Sequence, residues 1–411
     1  MIDCVNKSYV NENLLLLKKL TLVIPTYNRN YYLSRCLWYH AHFPFGEIII
    51  ADSSQDGKKQ VNRETVAKVS KIFGSNIRYL EYEPETDKNG GDIYQKWGDA
   101  VQHVDTEYSQ ICTDKEFLIP KSLQKCIEYL ESHKDYISCG GREYQLYCKN
   151  NLKNRAEYYL IQGDSSRTSE VGINNLERYT HAFLEVAPMH NSLLLQTMRT
   201  GAHKYSYQKL LEYDINNIKY NEILLGYINY FFGKYYCLDN EIYVIRDNRG
   251  IQKDKRKKYR TKSMESSASR YQDVYMNYED TSIYYRKFEF YLLDMLTSIG
   301  KMDRKDAELL INTTIKDRVF ACNDVPTIRS KIASRLPIAL DIWYYMPHEI
   351  HNISNKFTKK IFNFTLPTEI IKNFDESHKD INIITQIIAE TTSLQSQDEP
   401  IPISRLYHPN Q

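Results

Sequence analysis

Up to residue 250 the chain alternates short apolar runs, each bounded by turn residues, with stretches whose apolar residues recur at helical spacing. The runs are Leu20–Ile24, Glu47–Ala51, Ile77–Tyr82, Tyr108–Thr113 and Tyr136–Cys139. Between them lie NYYLSRCLWYHAHF, RETVAKVSKIFG, DIYQKWGDAVQHV and PKSLQKCIEYLESH. Runs of this length cannot satisfy their own backbone groups and must pair, and a helix between consecutive strands favours parallel pairing through βαβ units. The pattern predicts an α/β protein built on a mixed, mostly parallel sheet flanked by helices. Pro120 suits the first turn of its helix, where no amide partner is lost.

The texture changes near residue 250. There KDKRKKYR is followed by amphipathic segments such as YYRKFEFYLLDMLTSIG and IRSKIASRLPIALDIWYYM, then by a polar tail. The expected division is a sheet domain over 1–250, a mainly helical domain over 251–395 and a tail over 396–411. With 54 basic and 52 acidic residues, the net charge of +2 selects neither nucleic acid nor membrane as a partner. Eight scattered cysteines without a CxxC pair argue against zinc and against a disulfide framework, and suit buried thiols in a reducing cytoplasm. The leucine run Leu14–Leu17 is too short for a leader or a span, and nothing elsewhere approaches ~18 uninterrupted apolar residues. A soluble protein, or one peripheral to the inner face of a membrane, is expected. The C-terminal helical region is the natural surface for a membrane or homo-oligomer contact.

In an open parallel sheet, ligands sit beyond the carboxyl ends of the strands. Pro25 should stop the first strand, leaving Thr26, Tyr27, Asn28 and Arg29 to line that crevice. The second run, EIIIADSSQDG, delivers Asp52 and Ser53 to the same place; these two could equally cap the next helix. A third exit, ICTDKEFLIP, brings Asp114, Lys115 and Glu116, which as a group fit either a phosphate and metal site or a solvated turn.

Taken in order, IPTYNR, IIIADSSQDG and YSQICTDKEFLIP resemble the nucleotide-sugar half of family 2 glycosyltransferases, which have the GT-A fold. The resemblance covers residues 18–248, with a nucleotide-sugar half near 18–148 and an acceptor half near 149–250. It departs from the family at Ala51, where the first of two aspartates usually stands; the second is kept as Asp52. It implies a nucleotide-sugar donor, first of all a UDP-sugar, a glycan or other hydroxyl acceptor, and a divalent cation, Mn2+ or Mg2+. Pro25, Thr26, Tyr27, Asn28, Arg29, Asp52, Ser53, Lys96, Asp114, Lys115 and Arg246 are the expected donor contacts, with Arg249 beside the last. Asp114, Glu116 and His190 are the expected metal shell. Lys115 replaces the family's usual acidic residue, so it could instead meet the diphosphate as a point charge. The segment KYNEILLGYINYFFGKYYC then implies Glu222 as the general base, at the opening of a helix, with Asp214 as the fallback.

Two readings of other classes stand beside this one. A sugar nucleotidyltransferase would use a similar sheet, but IPTYNRNYY lacks the glycines of a phosphate loop. The basic run with Tyr259, and 35 tyrosines in all, would suit a non-catalytic protein that binds nucleic acid or a membrane surface.

Overall fold

The computed structural model describes residues 14–87, 93–150, 156–162, 195–213, 215, 218–247, 278–312, 370–371 and 379–392. After a 3₁₀ turn at Leu15–Lys19 come β1 (Leu20–Thr26), α1 (Asn30–His40), β2 (Glu47–Asp52), α2 (Asp56–Phe73) and β3 (Ile77–Glu81). Then follow α3 (Ile93–Gln102), β4 (Tyr108–Ile111), β5 (Glu116–Leu118), α4 (Pro120–Ser132), β6 (Tyr136–Asn150), β7 (Ala156–Gln162) and β8 (Thr197–Arg199). The chain continues through α5 (Thr200–Tyr213), α6 (Ile218–Phe232), β9 (Lys234–Asp247), α7 (Tyr278–Asp294), α8 (Arg304–Ile311), β10 (Ile370–Ile371) and α9 (Lys379–Thr392).

The strands form one mixed sheet in the order β10-β7-β6-β8-β4-β1-β2-β3, with β9 pairing both β6 and β5. β1 lies between parallel β2 and β4, and β3 continues the parallel half. β8 and β7 are antiparallel, as is the β5–β9 pair. The predicted α/β sheet is therefore present, with the parallel half where the alternation placed it.

A strand buried on both faces reads as a continuous apolar run, and β1 and β2 show why. Leu20, Leu22, Ile24, Ile48 and Ile50 enter one core with α1, α2 and α4. Val23, Ile49 and Ala51 enter the other with α3, α5 and α6. Gly233, between α6 and β9, is required by close approach: a Cβ there would stand 2.2 Å from Ile137 Cγ2.

The described C-terminal elements join both cores. Phe288, Leu292 and Leu296 pack with Leu224, Ile228 and Phe231 of α6. Ile381, Ile384 and Ile388 of α9 join the opposite core, where Tyr39 of α1 donates to Asp380 Oδ1 at 2.8 Å. β10 extends the sheet by pairing with β7. Among the described residues, no helix is long and apolar enough to cross a membrane. Cys36, Cys112, Cys126, Cys139 and Cys237 are buried free thiols, as expected.

Candidate active site at the strand exits

Pro25 does not stop β1, which runs on to Thr26. The β1–β4 ladder ends at Val23 and Ile111, so the missing amide of Pro25 falls beyond it and removes no ladder bond. Asn28 then turns the chain with φ 54, a left-handed conformation that asparagine tolerates better than most residues. Its amide donates to Ser54 Oγ at 2.8 Å, and its Oδ1 accepts from the Gln55 amide at 2.9 Å. The exits of β1 and β2 are thereby stitched together. Tyr27 is half-buried beside them.

Asp52 is wholly buried. It accepts from the Ser54 amide at 2.7 Å, from Asn62 Nδ2 at 2.6 Å and from the Tyr79 hydroxyl. Neither Asp52 nor Ser53 caps α2, whose N-cap Gln55 makes no side-chain cap bond; the Asp52 carboxylate instead shapes the turn that leads into the helix. Ser53, also buried, donates to the Asp87 carboxylate and accepts from Lys96 Nζ at 2.7 Å. Lys96 reaches the Thr26 carbonyl at 3.1 Å and ion-pairs with Asp87. Burial lowers the Lys96 pKa, opposed by the Asp87 carboxylate beside it. Lys96 therefore ties the first two strand exits to the segment after β3.

Asp114, 2% exposed, lies where these exits meet. Its Oδ2 accepts from Thr26 Oγ1 at 3.0 Å, and Arg29 Nη1 stands 2.8 Å from its Oδ1. Glu116, 1% exposed, is held from the other side: Arg246 Nε and Nη2 reach its Oε1 at 3.0 and 2.8 Å, and the Thr113 amide reaches Oε2 at 3.0 Å. Burial raises the pKa of both acids, while Arg29 and Arg246 respectively pull them back. Arg246 also pairs with Glu143 at 3.1 Å, and Glu222 lies within its electrostatic reach.

This geometry differs from the expected metal shell. Asp114 and Glu116 each face a guanidinium, and their remaining oxygens accept from Thr26 and Thr113. A divalent ion at Asp114 would share the carboxylate with Arg29, although its buried Oδ1 accepts no hydrogen bond, and one at Glu116 would share it with Arg246. His190 lies outside the described residues, as do Asp214 and Arg249. A tighter group of potential ligands, Cys36 and His40 of α1 with Cys112 just after β4, is buried. His40 donates from Nδ1 to the Cys36 carbonyl at 2.8 Å and accepts at Nε2 from the Leu118 amide at 3.1 Å. With both ring nitrogens engaged, that histidine belongs to the core.

Glu222 is half-buried on α6, which begins at Ile218, so it sits one turn inside the helix and not at its opening. A dipole role is correspondingly weaker, since that effect fades within the first turn.

Several residues at the site were not singled out from the sequence. Arg35, 1% exposed, lies over Tyr31 and Tyr32 at 4.3 and 4.9 Å and pairs with Asp247 at 2.8 Å. Its spacing of three and four residues from those tyrosines was the available signal. Asp87, within PETDKNGG, carried no such signal.

Residues 21–185 match the family model described as Glycosyl transferase family 2. No curated protein matches the chain. Among solved structures, S. aureus TarS 1-349 in complex with UDP-GlcNAc is 13% identical with a TM-score of 0.44, over 92% of each chain. A longer S. aureus TarS structure is 12% identical with a TM-score of 0.41, over 72% of this chain. The chain spans 42% of that longer TarS chain. Likenesses of this extent fix neither donor nor acceptor. The family match falls on the segment whose strand exits build the site, so this part of the chain is similar to the family 2 glycosyltransferases.

Proposed function

We propose that the chain transfers a sugar from a nucleoside diphosphate sugar, a UDP-sugar first among candidates, to the hydroxyl of a glycan acceptor, with inversion at the anomeric carbon. The observation that carries the reading is the convergence of Thr26, Arg29 and Asp114 at the exits of adjacent parallel strands, inside the segment that matches the family. Residues 18–148 would bind the donor and 149–250 the acceptor, with 251–395 as a supporting helical region. Synthesis of a surface polysaccharide, in the cytoplasm or at the inner face of a membrane, is the setting that suits such a reaction.

In the proposed step, Glu222 takes the proton of the acceptor hydroxyl as its oxygen attacks the anomeric carbon. The bond from that carbon to the diphosphate breaks, and the nucleoside diphosphate leaves with the bonding pair. An acceptor entering opposite the diphosphate needs a carboxylate on its own side, and a positioned base supplies ~10²- to 10⁴-fold in rate. Support for Glu222 is its half-buried place on α6 within reach of the charge on Arg246.

Nucleotide sugars are incubated with the purified chain, and the anomeric proton of the product is followed by NMR. The expected product is inverted, and Glu222→Gln lowers turnover by ~10²-fold or more while nucleotide affinity stays level. A retained configuration would overturn the mechanism, and a fully active Glu222→Gln would pass the role to Asp214.

A further inference from the structure

Between the two paired acids stands a cation with no acid of its own. Lys115 is half-buried, and among the described residues its ammonium meets only the ring of Tyr32, 5.7 Å from the centroid. Arg29 and Arg35 approach the same ring at 5.0 and 4.9 Å. Arg29 and Arg35 each meet a carboxylate, Asp114 and Asp247. Lys115 meets none among the described residues. In addition, Arg35 Nε and Nη1 are buried without a hydrogen-bond acceptor. The electron-rich face of Tyr32 offsets part of the repulsion, but an aromatic ring is a weak substitute for an anion.

The turn is also built to hold its charge in place. The Asp247 amide donates to the Lys115 carbonyl at 2.9 Å, and the residues on either side of Lys115 are fixed by Arg29 and Arg246. Arg29 is 28% exposed, so the donors it does not turn toward Asp114 reach solvent.

We infer that the donor's diphosphate is met by the protein's own cations, Lys115 and Arg29 gathered on Tyr32, and that a divalent ion held by Asp114 and Glu116 is not required. The inference rests on the nucleotide-sugar reading above. As the anomeric carbon–oxygen bond breaks, the charge gathering on the leaving diphosphate is stabilised by a fixed ammonium and a guanidinium, with no proton changing hands. Lys115, the residue that departs from the family's acidic pattern, is in this view the functional replacement for the ion.

The test is calorimetric titration of the full chain with UDP, GDP and dTDP, in EDTA and again in Mn2+, with Lys115→Met and Lys115→Arg beside the wild type. UDP is expected to bind with equal affinity in both buffers. Lys115→Met should weaken it roughly tenfold to a hundredfold, the range of one charged hydrogen bond, and Lys115→Arg should restore it. An unchanged melting temperature in Lys115→Met separates this loss from misfolding. Binding that vanishes in EDTA and returns with Mn2+ overturns the inference and leaves the reading of the donor standing, as does undiminished binding by Lys115→Met. Failure of all three nucleotides in both buffers overturns the donor reading itself.

Discussion

Asp114 meets Arg29 from the loop that follows β1, while Glu116, two residues on, meets Arg246 across the β5–β9 ladder, where the two are register partners. The first contact is a single approach by an arginine from a turn. The second is a two-nitrogen grip on one oxygen, backed by Glu143 on the far side of the guanidinium. Acids of the same kind are thus put to different ends by what carries their partners. A pair that bridges two strands fixes their register. A pair that joins two loop ends can open without disturbing a ladder, which is what a site that must admit a ligand requires.

Removing the strand-bound arginine is the harshest way to break this comparison. Arg246→Met leaves Glu116 buried and charged with only the Thr113 amide, and should cost about 3–5 kcal/mol in stability. Urea denaturation reads this directly, and a loss below about 1 kcal/mol, the range of an exposed pair, would mean the ladder pair is no more structural than its neighbour. Thr26→Val is milder. It strips one hydrogen bond from Asp114 while Arg29 remains, for an expected loss of about 1–3 kcal/mol. A cost equal to that of Arg246→Met would erase the distinction between the two pairs.

The smallest effect is expected at a half-buried surface acid, which sets the lower limit of the series. Glu131 accepts from Lys19 at 2.9 Å and from Lys134 at 3.0 Å, and these contacts hold its pKa down to about 2. A carboxyl whose folded pKa lies below its unfolded value adds stability above the unfolded value, near 4.5, and loses it as the pH falls toward 2. Glu131→Gln should therefore cost about 1 kcal/mol or less at pH 7, with a gap to wild type that narrows as the pH drops below about 4.5. Asp114 and Glu116 have raised values and run the other way, so acidification relieves the cost of burying them. Denaturation midpoints at neutral and acid pH should show the Glu131 gap closing.

The strand exits were legible because an apolar run ending in polar residues shows where a sheet presents its edge to a ligand. That reasoning brought Thr26, Asn28, Asp52 and Asp114 to one end of the sheet. It did not give the protein partner of each side chain: Arg29 lies on Asp114, and Asp52 is enclosed by Asn62 and Tyr79. Such partners are separated by long stretches of sequence, 130 residues for Glu116 and Arg246, and no local period records them. β5 and β10, of three and two residues, are too short to show an alternation at all. His40 looked like nothing in the sequence and proved to be held by two backbone groups, a bond pattern set by the tertiary fold.

The contact between Tyr39 and Asp380 spans 341 positions. At a synthesis rate of ~5–20 residues per second, α1 leaves the ribosome roughly 17–70 s before the helix that covers it. For that interval α1 can already pack on the sheet and on its neighbouring helices, but the Tyr39 side of it lacks its last cover. The helix under the cation cluster is encoded almost first and fully enclosed almost last. Occupancy of ribosome-associated chaperones on α1, followed along a nascent-chain series, should take its last fall once α9 has emerged.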